Sequence, residues 1–149
     1  MLDLLHRELE RAARANTSTS VFMLDLDHFK KINDTFGHLT GDVVLREVAN
    51  RIVRSVRSYD LVGRYGGEEF LVVLPTCNDA EVEQSANRIR LAIASAPILT
   101  ASFEIPMTAS IGATVVAGVA AASEKEILLA ADKALYEAKN DGRNRVCLA

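Results

Sequence analysis

Between residues 2 and 15 the apolar positions Leu2, Leu5, Leu9, Ala12 and Ala13 share one helical face, with His6, Arg7, Glu10 and Arg14 elsewhere. Asn16-Thr17-Ser18 breaks that period. Val21-Phe22-Met23-Leu24 is a short, nearly continuous apolar run, which predicts a buried central strand. It ends in Asp25-Leu26-Asp27, polar at alternate positions. A short helical piece, 28–36, stops at Gly37, a natural residue for the end of a helix. Thr40-Gly41-Asp42 opens a longer helix through Arg57, with Val43, Val44, Leu45, Val48, Ile52 and Val53 as its apolar stripe. A hairpin spans 61–74 and ends at Pro75. Asn78-Asp79 starts a helix to about Ala94, with Val82, Ala86, Ile89 and Ile93 facing inward. Residues 103–105 read as a short edge strand and 108–116 as a strong one. Ser123-Glu124-Lys125-Glu126 resembles a capping box for a helix to Lys139. Asp141-Gly142 turns the chain into a last strand, 145–148.

The order α-β-α-α-β-β-α-β-α-β predicts an α+β domain of the ferredoxin-like type, helices stacked on a mixed, mostly antiparallel sheet. With 149 residues, 49% of them apolar, the chain is the size of one compact domain with its own core. The charged fraction of 25% argues against disorder. A net charge of −3 excludes nucleic-acid binding by bulk electrostatics, so local cations or metal must hold any anionic ligand. Cys77 and Cys147 lack metal-type spacing and fit a reducing compartment. No apolar run is long enough to cross a bilayer, and Met1 begins a charged amphipathic segment rather than a leader. The expected setting is cytoplasmic, with tethering to a membrane sensor left open for a longer chain.

Candidate chemistry centres on Arg64-Tyr65-Gly66-Gly67-Glu68-Glu69-Phe70. Gly66-Gly67 suits a two-residue hairpin turn with positive φ, and a turn without β-carbons lets a phosphate come close. Glu68 and Glu69, at the start of the returning strand, point to opposite faces, so one acid faces a site. Asp25, at the end of a buried strand, needs a partner. Together with Glu68 and a nearby backbone carbonyl it makes a partial oxygen shell for Mg²⁺, which takes few carboxylates and leaves room for water and phosphates. That reading requires the first strand and the hairpin to be neighbours. Asp27 reads either as a cap for the helix from His28 or as a further acid of the site. His28 and His38 lack zinc spacing, and Phe29, Phe36 and Phe70 read first as packing residues.

The run Asp25-Leu26-Asp27-His28-Phe29-Lys30-Lys31-Ile32-Asn33-Asp34-Thr35-Phe36-Gly37-His38-Leu39-Thr40-Gly41-Asp42, with Gly66-Gly67-Glu68-Glu69-Phe70 and the tail 136–144, closely resembles the GGDEF family of diguanylate cyclases. These enzymes join two GTP molecules into cyclic di-GMP on a palm-like fold shared with nucleotide cyclases and polymerases. The resemblance implies that Asp25, the main chain of Leu26 and Glu68 hold Mg²⁺ (or Mn²⁺). Glu69 is a further acid of the signature. Asn33 and Asp42 read the guanine edge, and Gly66 and Gly67 lie against the nucleotide. Lys139 and Arg143 contact the triphosphate, with Phe29 and Lys30 beside it. The residue chemistry agrees: an Asn with a carboxylate offers acceptors to guanine's N1–H and N2–H₂, which adenine does not match. Taken singly, Asn33 also reads as a surface residue, Asp42 as an N-terminal helix acid, and Lys139 and Arg143 as cations at a helix C-terminus.

Arg57-Ser58-Tyr59-Asp60 resembles the family's RxxD inhibitory site, where Arg57 and Asp60, supported by Arg88, grip the product. The resemblance also implies a homodimer of two-fold symmetry, because each site holds one GTP. The family's usual opening stretch and any sensory module are missing from 1–149, so the expectation is an excised catalytic domain whose regulatory partner is fused in the full-length protein. The alternative is a catalytically silent domain that senses GTP or cyclic di-GMP.

Overall fold

A computed structural model of the chain describes residues 1–118 and 123–149. Helix α1 (Leu2–Ala15) ends at Asn16, whose φ of 50° lets the chain turn into strand β1 (Thr19–Leu26). Helices α2 (Phe29–Phe36) and α3 (His38–Ser55) meet at Gly37, where a φ of 84° ends one helix and redirects the chain into the next. The hairpin β2 (Leu61–Gly66) and β3 (Glu69–Pro75) leads to α4 (Asp79–Ala94). Then follow β4 (Ile98–Leu99), β5 (Glu104–Ile105), β6 (Ala109–Val116), α5 (Glu124–Asn140) and β7 (Val146–Leu148). Both expected helix starts carry capping boxes, Asn78 with Glu81 and Ser123 with Glu126.

The main sheet has the order β2-β3-β1-β6-β7. All of its pairs are antiparallel except β6 with β7, which α5 joins by a crossover. This is the expected α+β palm. The central strand β1 is covered on both faces, which explains its unbroken apolar run. Strand parity divides the core. Phe22, Leu24 and Leu26 face one side, packed with Phe70, Val72, Leu74, Ile111 and the inner faces of α2, α3 and α4. Val21 and Met23 face the other, with Leu71, Val73, and Leu5, Ile127, Ala131 and Leu135 of α1 and α5. The same parity assigns Asp25 to the α5 side.

Three expectations are corrected. Residues 103–105 are not an edge of the main sheet: β5 pairs with β4 in a separate ribbon, and the Phe103 ring packs tilted against Phe36, their centroids 4.8 Å apart. Helix α3 starts two residues early, because Gly37 already supplies the break, and it ends at Ser55. Val53, placed in its apolar stripe, is 57% exposed: the buried stripe is Val44, Leu45, Val48 and Ile52, and Val53 points about 100° around the helix from Ile52, off that face. Glu8 was unforeseen inside. Its buried carboxylate accepts from Arg11 Nε and Nη2, each at 2.8 Å.

Candidate active site

Asp25 is the last odd position of β1, opposite Glu69 of β3 and Ser110 of β6. Paired positions on neighbouring strands share a face, so Asp25 and Glu69 sit side by side under α5. There Lys139 Nζ donates to Asp25 Oδ2 at 2.8 Å. Burial pushes the Glu69 carboxyl above its ordinary value. The negative charges of Asp25, Asp132 and Glu68 push it the same way, while Lys139 opposes them. The neighbourhood the acids require, first strand beside hairpin, is therefore present. The register brings Glu69, whose role sequence left open, directly across from Asp25.

The hairpin turn differs from expectation by one residue. Gly66 still belongs to β2, and the turn pair is Gly67-Glu68, with positive φ only at Gly67 (36°). The slip arises from a bulge at Tyr65, since Arg64 pairs with Phe70 but Gly66 with Glu69. Arg64 Nε donates to Gly67 O at 2.8 Å and pins the turn. A side chain on Gly67 would meet nothing within 4 Å, so the turn faces open space. Glu68 lies in the turn rather than on the strand. Its carbonyl accepts from Leu26 N at 3.4 Å, which sets it beside the end of β1.

Asn33 and Asp42 lie on α2 and the first turns of α3, which pack against each other. Their approach depends on Gly41. A methyl group there would overlap Asn33 Oδ1 and stand 3.2 Å from Phe29 Cζ. Asp42 is exposed and lines a cavity of about 420 Å³ with Leu45, Arg46, Arg64 and Phe70. Phe29 is 4% exposed and Phe70 2%, so both rings are core. Whatever Phe29 offers a ligand comes from its main chain, while Lys30 is exposed beside it.

Asp27 does not cap α2. The cap position is His28, at φ 59° and without a side-chain bond. The buried Asp27 carboxylate instead accepts from Thr108 Oγ1 (2.6 Å), Ser110 Oγ (2.7 Å) and Asn144 N (3.1 Å). It ties the end of β1 to β6 and to the loop after α5 that carries Arg143. No spacing in the sequence announced this, because its partners lie more than 80 residues away.

Arg57 and Asp60 are bonded directly, and Arg88 is near enough for its charge to act on Asp60. Asp60 Oδ2 accepts from the Arg57 main-chain N at 2.7 Å, not from its guanidinium. That guanidinium donates to Tyr59 Oη at 3.1 Å and lies 3.8 Å from Glu81 Oε1. Arg88 Nε donates to Ser55 O at 2.7 Å. Burial raises the Asp60 pKa against the pull of Arg57 and Arg88, and its Oδ1 is buried without a hydrogen-bond partner.

The residues fit a hard divalent cation. The donors at the end of β1 are carboxylates and main-chain oxygen, with no soft sulfur or imidazole. Around Glu69, burial first and then the charges of the neighbouring acids together outweigh the opposing pull of Lys139. Among the described residues no three acidic, histidine or cysteine side chains form a ready cage.

This sheet, with acids at the tip of its central strand beside a glycine turn, defines a palm domain of the nucleotide-cyclase class. Residues 1–145 match the family described as diguanylate cyclase, GGDEF domain, and the chain belongs to that family. It is 43% identical over 141 residues to the diguanylate cyclase DosC of Escherichia coli, covering 94% of this chain and 30% of DosC. It is 43% identical over 140 residues to the response regulator PleD of Caulobacter vibrioides, covering 93% of this chain and 31% of PleD. The chain thus spans about a third of the curated relatives it matches. A crystal structure of the coiled coil and GGDEF domain of DgcB from Caulobacter crescentus, in complex with c-di-GMP, superposes with a TM-score of 0.90 at 35% identity. It covers 99% of this chain and 78% of that one. The active GGEEF domain of a Vibrio cholerae diguanylate cyclase, which shares the Gly-Gly-Glu-Glu-Phe spelling, gives 0.85 at 32% identity, over 95% and 89% of the two chains. No helix among the described residues is long and apolar enough to cross a membrane.

Proposed function

We propose that the chain is an active diguanylate cyclase domain that condenses two GTP into cyclic di-GMP and two pyrophosphates. The observation that carries this reading is the meeting of Asp25, Glu69 and Lys139 at the strand end beside the Gly67-Glu68 turn. Asp25, the Leu26 main chain and Glu68 hold Mg²⁺ or Mn²⁺, with Glu69 as the neighbouring acid. When bound, the ion polarises the α-phosphate and offsets its developing charge. Asn33 and Asp42 accept from the guanine edge, and Gly41 leaves room for the Asn33 amide. Lys139 moves from Asp25 to the triphosphate, which Arg143 and the start of α2 at Phe29 and Lys30 also contact. Gly66 and Gly67 leave the approach open. A 3′-hydroxyl from a second GTP attacks in line, so two copies face each other across a two-fold axis.

Incubation with GTP and Mg²⁺ at high protein concentration, with nucleotides resolved by chromatography, should yield cyclic di-GMP. Glu68→Ala should abolish it; undiminished turnover would remove Glu68 from its role. Product inhibition at Arg57, Asp60 and Arg88 rests on two cations beside a buried, unpartnered Asp60 oxygen. Arg57→Ala should relieve it, and inhibition unchanged in that variant would refute the assignment. In the full-length protein a fused regulatory domain sets the dimer.

A further inference from the structure

The loop after α5 is the most constrained backbone near the site. Gly142, Arg143 and Asn144 all have positive φ, at 113°, 63° and 45°. Two of these residues carry side chains, for which this conformation costs on the order of 1 kcal/mol or more each. Such backbone persists only where its surroundings fix it. Arg143 N donates to Ala138 O at 3.0 Å, and Asn144 N to Asp27 Oδ2 at 3.1 Å. A single nitrogen of Arg90, Nη1, donates to both Asn144 Oδ1 (2.9 Å) and Asn144 O (3.2 Å). Arg90 is itself steadied by Nε donating to Asn87 Oδ1 at 3.1 Å. The Arg143 guanidinium, in contrast, is exposed and has no hydrogen bond or ion pair among the described residues. The contacts fix the backbone and leave the charged group free for a ligand.

Two anchors of different origin meet at Asn144. Asp27 lies two residues from Asp25 on the same strand end, so it ties the loop to the acids. Arg90 stands on α4, which supplies no residue to the proposed nucleotide site. Resting on that reading of the site, we infer that Arg90 is a positioning residue for phosphate binding. Acting through Asn144, it holds Arg143 at a fixed span from Asp25, so that one triphosphate reaches both. Arginine is required because one end of the planar fork must reach two oxygens while Nε stays tied to Asn87.

The test is a double-mutant cycle on binding of a non-hydrolysable GTP analogue with Mg²⁺, read by calorimetry, with thermal unfolding recorded for each variant. Arg143→Ala should weaken binding about ten- to hundredfold, the range for a lost charge-assisted contact. Arg90→Gln should weaken it about fivefold or more while its unfolding temperature stays within a few degrees of wild type. The double variant should bind no more weakly than Arg143→Ala alone. Should Arg90→Gln unfold, Asn144→Gly keeps the left-handed backbone and the Asp27 bond while deleting the Oδ1 acceptor, and a loss in the same direction is expected, smaller because the main-chain oxygen still accepts from Arg90. Wild-type affinity in Arg90→Gln, or fully multiplicative losses in the double variant, would overturn the inference alone. A wild-type protein that binds no analogue would overturn the site reading and this inference with it.

Discussion

Gly112 of β6 pairs with Met23 of β1 on the face covered by α5. A methyl group built there would overlap Ala131 O and Leu135 N and lie 2.8 Å from Leu135 Cα. All three atoms are backbone in the middle of α5, so no rotamer change relieves the clash. The helix must lift from the sheet, which loosens the contacts of Ile127, Ala131 and Leu135 with Val21, Met23, Leu71 and Val73. Overpacking a core typically costs about 1–3 kcal/mol, and a clash with rigid backbone belongs at the upper end. For a chain of this size about 3 kcal/mol lowers the unfolding temperature by roughly 6–12 °C. Gly112→Ala should therefore show that drop in a thermal melt, with a matching fall in urea midpoint. Weakened nucleotide binding should accompany it, because α5 carries Lys139 and leads to Arg143. Gly66→Ala is the control: its nearest neighbour would be Glu69 Oε2 at 3.8 Å, so stability should hold. A Gly112→Ala protein that melts within about 2 °C of wild type would refute the close approach of α5 to β6.

Asp27→Ala strands three donors, one of them the fully buried Ser110 hydroxyl, and should cost about 3–5 kcal/mol in urea unfolding; a loss below about 1 kcal/mol would contradict it. Glu69 has a raised pKa in the fold, so the fold favours its protonated form: that contribution is complete below the ordinary glutamate value of 4.5 and is lost as pH rises through the folded value. In chelator, Glu69→Gln should be more stable than wild type near pH 7–8, and the gap should close on acidification; a gap that widens instead would show the sign is wrong. Lys139→Met frees Asp25 of its only ion-pair partner among the described residues. It should strengthen Mn²⁺ binding without nucleotide severalfold, seen by paramagnetic resonance, and weaken GTP binding at least about tenfold. Unchanged Mn²⁺ affinity would mean that Lys139 does not compete for the acid.

Much of the fold was legible because its signals are local. Periodicity placed the helices, the run at 21–24 announced a strand covered on both faces, and Asn78 and Ser123 marked helix starts through bonds spanning three residues. The site was legible as a list of residue types, since hard oxygen donors, a glycine turn and two cations in the last helical turn and the loop after it carry their chemistry in their identities. What needed three dimensions was their mutual arrangement. A bulge at Tyr65 moved the turn from Gly66-Gly67 to Gly67-Glu68, and no residue pattern encodes a bulge unambiguously. Glu69 rather than Glu68 came to face Asp25 because strand register, not sequence distance, sets who shares a face. Asp27, Asn144 and Arg90 looked unrelated in the chain, since a long-range hydrogen bond leaves no periodic trace. Short-range order reads out from nearest-neighbour energetics, whereas pairings across dozens of residues exist only once the sheet has closed and its core has chosen which face each side chain takes.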